Sequence, residues 1–150
     1  MNTDEIRRAL RIFPHFEDVY SSDTLPPCPH GLLVCNLDPA HYPDTHWVAI
    51  YVDGDYGMYF NSIGRAPQDA IRKYLNRLCG GADKWIYNDI QLRSVISRLC
   101  GQYFHYYCAL RNNAISLHKI VASMSKDTAF SDILVRAFVC KRITNILIKD

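Results

Sequence analysis

Two side chains of this 150-residue sequence, Cys100 and His46, have types and settings suited to nucleophilic chemistry. A thiol becomes a nucleophile near neutral pH when its pKa is lowered, which a helix N-terminus or a neighbouring imidazole can achieve. Cys100 opens the stretch CGQYFHYYCAL, which is apolar on nearly all sides and predicts a buried central helix. His46 precedes Trp47 at the start of an apolar strand, where its ring can be held at a sheet edge. The alternative for Cys100 is a small core residue without chemistry.

The segments around these residues predict a small sheet. Three apolar stretches are typical of strands: 32–37, 46–52 and 57–63. The pair Asp53-Gly54 separates the last two and favours an antiparallel hairpin. His46 then opens one strand and Asn61 lies near the end of the next, so both are expected at one end of the sheet.

Periodic apolar residues predict helices on both sides of these strands in the sequence. The predicted helices cover 2–12, with Thr3 or Asp4 as the cap, and 68–79, 100–110, 115–122 and 128–141. A short strand is expected at 85–87, and the proline-rich segment 14–29 is expected to be ordered but irregular. The predicted fold class is α+β, with a small central, mostly antiparallel sheet flanked by helices.

The composition limits the classes of function. With 49% hydrophobic and 21% charged residues, the chain is typical of a globular protein, and residues 1–150 are expected to form a single domain. A net charge of +2 gives no argument for nucleic acid or membrane partners. No apolar run approaches the roughly 20 residues that span a bilayer, and the N-terminus is unlike a signal peptide, so an intracellular location is expected.

The six cysteines show no C-x-x-C spacing. Reduced thiols are therefore expected rather than disulfides, and no metal or cofactor is expected. The five cysteines other than Cys100 are expected to be small core residues: Cys28, Cys35, Cys79, Cys108 and Cys140.

Three segments resemble the adenovirus-protease-like (adenain-like) cysteine proteases. The run NLDPAHYPDTHWVAIYVDGDYGMYFNSIG is similar to that family's strand, acidic-proline loop, His-Trp pair and aromatic-Phe-Asp-Ser-Phe-Gly segment. SVISRLCGQYFHYY resembles the Ser-x-x-Cys-Gly-x-Tyr/Phe start of its central helix. DVYSSDTLP resembles the segment before the first strand in family members carried by large DNA viruses and Maverick/Polinton transposons. The order of His, acid and Cys is also that of the SUMO-type deconjugating proteases.

The resemblance implies that Cys100 is the nucleophile at the N-terminus of the central helix and that His46 is the general base. It also implies that the backbone N–H of Cys100 forms part of an oxyanion hole. Two positions depart from the family. Asn61 stands where the family has an Asp or Glu to orient the histidine, and an amide brings no negative charge. Arg93 stands where a Gln donates to the oxyanion, unless a shifted register brings Gln91 there.

Two hypotheses for function therefore stay open. The first is a cysteine endopeptidase of weakened activity that processes viral or transposon-encoded structural proteins after small residues such as glycine. Its nearest enzymatic alternative is a SUMO-type deconjugating protease. The second is an inactive binding module, which Asn61 and Arg93 would predict. Expected partners are a peptide or protein substrate and, by family analogy, an activating peptide or DNA. A monomer without membrane contact is expected, in the cytoplasm or nucleus of a host cell or in a virion.

Overall fold

The computed structural model describes residues 2–41, 46–124 and 127–147, with side chains as far as residue 142. Residues 42–45 of the acidic-proline loop lie outside the described residues. The strands are β1 (Phe16–Ser21), β2 (Gly31–Asn36), β3 (Trp47–Asp53), β4 (Tyr56–Phe60) and β5 (Trp85–Tyr87). The helices are α1 (Thr3–Leu10), α2 (Asp69–Cys79), α3 (Cys100–Asn112), α4 (Leu117–Ala122) and α5 (Thr128–Leu147). Within the described ranges, no helix combines the length and apolar character that a membrane span requires.

The five strands form one mixed sheet in the order β1-β2-β3-β4-β5. Its centre is antiparallel, because β3 pairs with both β2 and β4 in that sense. The outer strands β1 and β5 are each parallel to their neighbour. The predicted hairpin between β3 and β4 is confirmed, and Gly54 in its turn has a φ of +58°, which favours glycine. The predicted α+β class is confirmed as well.

Strand β1 lies within the segment 14–29, which the sequence predicted to be irregular. Only Val19 of this strand is buried, so β1 shows no regular alternation of apolar and polar residues. Its position depends on pairing with β2, where Val19 lies opposite Val34. The connection, residues 22–30, carries three prolines; extended at about 3.1 Å per residue it reaches roughly 28 Å, enough to return to the start of a parallel strand.

Helices cover both faces of the sheet. On one face, α3 packs with α1, α4 and α5, and the ring of Tyr107 stacks on that of Phe60 with centroids 4.6 Å apart. On the other face, Ile71 of α2 lies in one buried apolar cluster with Ile50 of β3. All six residues of β2 are buried, because helices exclude water from both of its faces. The sheet is therefore a rigid platform for residues at its edges.

Helix ends follow from local capping chemistry. The side chain of Asn2 accepts the N–H of Glu5 at 2.9 Å, and the Glu5 carboxylate accepts the N–H of Asn2 at 2.9 Å. This reciprocal box begins α1, so the predicted cap at Thr3 or Asp4 is wrong. Helix α2 ends at Gly80, whose left-handed φ of +79° confirms the predicted glycine stop.

Candidate active site

The three central residues of the predicted thiol site lie together at one end of the sheet. His46 directly precedes β3, and its carbonyl accepts the N–H of Leu37 at 2.9 Å, which extends the β2–β3 pairing by one residue. Asn61 directly follows β4 and is 1% exposed. Because β3 and β4 are antiparallel, the start of one and the end of the other meet at the same edge. Cys100 is the first residue of α3, whose N-terminus reaches this edge.

His46 bridges the other two side chains. The Sγ of Cys100 lies 3.9 Å from Nδ1 of His46, and Nε2 of the ring lies 2.9 Å from Oδ1 of Asn61. The N–H of Ile63 donates to the same Oδ1 at 3.1 Å, and Nδ2 of Asn61 donates to the carbonyl of Arg65 at 3.3 Å. These partners turn the amide oxygen towards the imidazole. Nε2 therefore carries the ring proton, which leaves Nδ1 as the acceptor that faces the thiol.

A second asparagine, Asn88, fixes the backbone of Asn61. Its Oδ1 accepts the N–H of Asn61 at 2.8 Å, while its Nδ2 donates to the carbonyls of Asn61 at 2.7 Å and Ile90 at 3.3 Å. Gly64 allows the chain to pass this segment closely, because a Cβ there would lie 2.5 Å from the carbonyl carbon of Ile90. No local pattern in the sequence points to Asn88, because these contacts join segments far apart in the chain.

Burial keeps both reactive groups neutral. It lowers the pKa of His46, an effect that the Asn61 hydrogen bond opposes and the charges of Arg93 and Arg65 reinforce. Burial also raises the pKa of the Cys100 thiol, although hydrogen bonding to the backbone of Trp47 and the charge of Arg93 oppose it. The sequence predicted a lowered thiol pKa from the helix N-terminus and the imidazole. The structure corrects that prediction, because loss of water outweighs the stabilising contacts.

Arg93 lies inside the protein beside the reactive pair, with 5% of its surface exposed. Its Nε donates to Oγ of Ser62 at 3.1 Å, and its Nη1 donates to the carbonyls of Ser94, at 3.2 Å, and Ser97. Gln91 is exposed and donates to the carbonyl of Arg93 at 2.9 Å, so a shifted register does not bring Gln91 to the thiol. The residue that faces the reactive pair at this position is therefore a cation.

Ser62 is a further site residue that the sequence analysis did not identify. It is fully buried, and its hydroxyl accepts from Nε of Arg93 at 3.1 Å. The side chain of Ser62 also lowers the pKa of the Cys100 thiol, against the larger effect of burial. The available signal was its place next to Asn61, in the segment that resembles the family pattern.

An open cleft of about 630 Å³ leads to the thiol. Four predicted site residues line it: Cys100, His46, Asn61 and Arg93. Gly101 also lines the cleft, and without a side chain it lets a substrate backbone approach the sulfur. The first N–H groups of a helix have no partner within the helix and favour negative charge. The start of α3 therefore presents unpaired donors next to the sulfur of Cys100.

All six cysteines are free thiols. Cys35, Cys79 and Cys108 are buried, as predicted for core residues. Cys28 and Cys140 are exposed, so the prediction of core positions is wrong for these two. Cys28 lies in the connection between β1 and β2, and Cys140 lies on the solvent side of α5.

A scan of the sequence against protein-family models gives no match, and a search among curated proteins gives none. Among solved structures, the fold is similar to that of the ASFV pS273R protease. Its selenomethionine crystal structure has a TM-score of 0.51 and 25% sequence identity, covering 71% of this chain and 44% of that chain. A second crystal structure has a TM-score of 0.60 and 17% identity, covering 89% and 65%. The SUMO protease Ulp1 has a TM-score of 0.45 and 12% identity, covering 93% and 78%.

The chain therefore has a fold similar to that of the ASFV pS273R protease, in agreement with the protease fold that the resemblance in its sequence predicted. The predicted start of the buried central helix at Cys100 is confirmed with it. This chain spans less than two thirds of the length of the ASFV protease chains.

Proposed function

We propose that this protein is a cysteine endopeptidase in which Cys100 is the nucleophile and His46 the general base. One observation carries the proposal: the Sγ–Nδ1 distance of 3.9 Å and the Nε2–Oδ1 distance of 2.9 Å align thiol, imidazole and the Asn61 amide at the cleft. This is the arrangement that a nucleophile, its base and an orienting group require.

In the proposed reaction, Nδ1 of His46 takes the thiol proton as Sγ of Cys100 attacks the carbonyl carbon of the scissile peptide bond. The carbonyl π electrons move to the oxygen and give a tetrahedral oxyanion. As the oxyanion collapses, the C–N bond breaks and the imidazolium gives its proton to the leaving amine. The acyl group is then a thioester on Cys100. His46 next takes a proton from water, which attacks the thioester, and the thiolate leaves and regains that proton.

The backbone N–H of Cys100 is the first proposed donor to the oxyanion, because it belongs to the unpaired first turn of α3. The second is Arg93, which stands in place of the family glutamine. Its Nε and Nη1 bind Ser62, Ser94 and Ser97, so Nη2 is the nitrogen that is left for the cleft. The positive charge of Arg93 would also stabilise an oxyanion. Ser62 would support the thiolate through its hydroxyl.

By analogy with the resembling family, whose active-site clefts are narrow, we propose that small residues such as glycine precede the cleaved bond. The same resemblance supports structural proteins of a virus or a Maverick/Polinton transposon as natural substrates. It also supports action inside a host cell or in a virion, with a peptide or DNA as an activator. The proposed substrate, location and activator depend on the family resemblance, whereas the proposed chemistry depends on the geometry of the cleft.

The proposal is tested by peptide hydrolysis with the chain as it stands and with Cys100→Ala. Glycine-containing peptides should be cleaved by the first protein only. In parallel, a thiol reagent should label Cys100 at a rate that falls strongly in His46→Ala, whereas labelling of exposed Cys28 and Cys140 should not change. These two thiols are internal controls within the same molecule. Equal hydrolysis by Cys100→Ala would rule out this nucleophile.

A second candidate function is a binding module that uses the same cleft without catalysis. It is favoured by the neutral state of the reactive pair, since burial raises the pKa of Cys100 and lowers that of His46. Asn61 adds no charge to stabilise an imidazolium, and Arg93 is largely committed to neutral acceptors. This reading predicts peptide binding by the chain and by Cys100→Ala with equal affinity, and no hydrolysis by either.

A further inference from the structure

The cleft beside Cys100 carries positive charge that the described residues do not neutralise. Arg65, Arg93 and Arg98 line it, and among the described lining residues Asp38 is the one carboxylate. Salt bridges in the described part of the chain involve other arginines, Arg7 and Arg72 on α1 and α2. Positive charges therefore outnumber negative charges among the described lining residues, although the whole chain has a net charge of only +2.

Arg93 is the decisive member of this set because it is buried. Only 5% of its surface is exposed, and its hydrogen-bond acceptors are a hydroxyl and two carbonyls rather than a carboxylate. A buried cation without an anionic partner is costly in free energy, and a negatively charged ligand in the cleft would reduce that cost. Its charge reaches the reaction centre, where it lowers the pKa of both His46 and Cys100.

Arg65 and Arg98 add exposed guanidinium groups from two different segments. Arg65 lies in the connection between β4 and α2, and Arg98 lies two residues before the nucleophile. Long exposed side chains of this kind can bind a carboxylate with two parallel hydrogen bonds. Arg93 supplies a fixed positive charge in the cleft. The exposed side chains of Arg65 and Arg98 can contact a bound ligand.

Large apolar side chains also line the cleft, which favours a polypeptide ligand over a nucleic acid ligand. Val95 is 62% exposed and Ile96 is 87% exposed, and both line the cleft. Exposed apolar side chains at a concave site are typical of surfaces that contact other apolar groups. A peptide offers apolar and acidic side chains side by side, whereas a phosphate backbone offers negative charge without apolar side chains.

We propose that the cleft selects acidic peptides, with an Asp or Glu side chain close to the scissile bond that is bound by Arg65 and Arg98. This inference deepens the proposed endopeptidase function and rests on it, because it names the substrate class of the same cleft. An acidic side chain placed there would also bring a negative charge close to the buried guanidinium of Arg93.

The test uses the Cys100→Ala chain, in which binding can be measured without turnover. Two labelled peptides differ only in carrying Glu or Gln next to a glycine-containing cleavage segment, and their affinities are compared by fluorescence anisotropy. The Glu peptide should bind about 10-fold more tightly, equivalent to about 1.4 kcal/mol, and this advantage should weaken as salt is raised. In Arg65→Gln/Arg98→Gln the advantage should fall below about 2-fold.

The matched control is Arg8→Gln/Arg11→Gln, which removes the same charge from exposed positions near α1 and should keep the advantage. Equal affinity for the two peptides before any arginine is replaced would overturn the inference, even if the double variant failed to fold. Displacement of the Glu peptide by a short oligonucleotide with higher affinity would also overturn it, in favour of a nucleic acid ligand.

The two proposals can fail separately in this design. If the Glu peptide is preferred but the chain with Cys100 intact cleaves neither peptide, the preference for acidic peptides stands and the endopeptidase function falls. If both peptides are cleaved with equal kcat/KM and bound equally, the endopeptidase function stands and the acidic preference falls.

Discussion

Nε2 of His46 donates to Oδ1 of Asn61 across 2.9 Å, deep in a site where Asn61 is 1% exposed. This bond fixes the imidazole ring and its tautomer, but a neutral amide does little to stabilise an imidazolium. Burial lowers the pKa of His46 and raises that of Cys100. The site therefore favours a neutral thiol beside a neutral imidazole, and in the proposed reaction proton transfer accompanies the attack on substrate.

When kcat/KM is plotted against pH, Asn61→Asp should shift the rise on the acidic side (the acid limb) to higher pH. In the proposed reaction His46 must be unprotonated to accept the thiol proton, and its lowered pKa should keep it unprotonated below the ordinary histidine value of about 6.5. A carboxylate at position 61 would favour the imidazolium and raise the pKa of His46. Above that limb, kcat/KM should increase by roughly 10-fold, since about 1.4 kcal/mol of imidazolium stabilisation is expected.

The control for this variant is Asn88→Asp, which makes the same amide-to-acid change behind Asn61, at a residue that hydrogen-bonds the backbone of Asn61. Its acid limb should move much less. Asn61→Asp should also lose about 1 kcal/mol of stability, because a carboxylate cannot donate to the carbonyl of Arg65. An unchanged or lower acid limb in Asn61→Asp would contradict the assigned role of Asn61.

Asn61→Asp combined with Arg93→Gln should raise peptidase activity well above that of the chain as it stands. The aspartate stabilises the charged imidazole, and the glutamine replaces a cation that lowers the pKa of His46 with a neutral oxyanion donor. Both changes act on the transition state, so kcat should rise more than KM falls. Steady-state kinetics of the two single variants and the double variant measure this, and their effects need not add because the residues serve one centre.

The decisive comparison adds Cys100→Ala to the double variant. If the double variant is no faster than the original chain, and if Cys100→Ala changes neither form, the cleft is not catalytic. The binding-module function would then be the correct one.

Ser62→Ala should slow the alkylation of Cys100 by several-fold near pH 7, on the order of 2-fold to 5-fold. The side chain of Ser62 lowers the pKa of the thiol against the larger effect of burial, so its loss should reduce the thiolate fraction. The pH profile of alkylation should move to higher pH, which a purely structural role would not cause. Ser123→Ala is the matched control, because its hydroxyl lies 2.9 Å from that of Tyr106, and neither residue lines the cleft.

His105 should make the protein less stable as the pH falls from about 6.5 to about 4. This histidine of α3 is 2% exposed and both ring nitrogens lack hydrogen-bond partners in the described structure. Burial, aided by the charge of Arg142, lowers the pKa of His105 to about 4. Because the unfolded chain binds this proton at higher pH than the folded chain, acid favours unfolding.

The expected loss from this histidine is about 2 kcal/mol between about pH 7 and about pH 5. Urea unfolding of the chain and of His105→Phe at the two pH values measures it, since phenylalanine suits a site next to the ring of Phe13. The difference between the two proteins should grow as the pH falls. An equal loss in His105→Phe would assign the acid sensitivity to other groups.

Much of the fold could be predicted from the sequence, because the signals are local. The apolar run around Val48 predicts a strand, Asp53-Gly54 predicts a tight turn, and Gly80 predicts the end of a helix from the local sequence alone. The apolar helix that begins at Cys100 follows from the sequence alone as well. These local rules also brought His46 and Asn61 to one edge, since the hairpin is antiparallel.

The tertiary structure decided what depends on distant partners. Strand β1 has one buried residue and exists because β2 offers it a parallel edge. Two sets of hydrogen bonds, between Asn88 and Asn61 and between Arg93 and Ser62, join segments about 30 residues apart. No local sequence pattern indicates such contacts. The pKa of Cys100 was predicted in the wrong direction because the helix N-terminus is visible in the sequence, whereas the loss of water around the thiol results from packing of the whole domain.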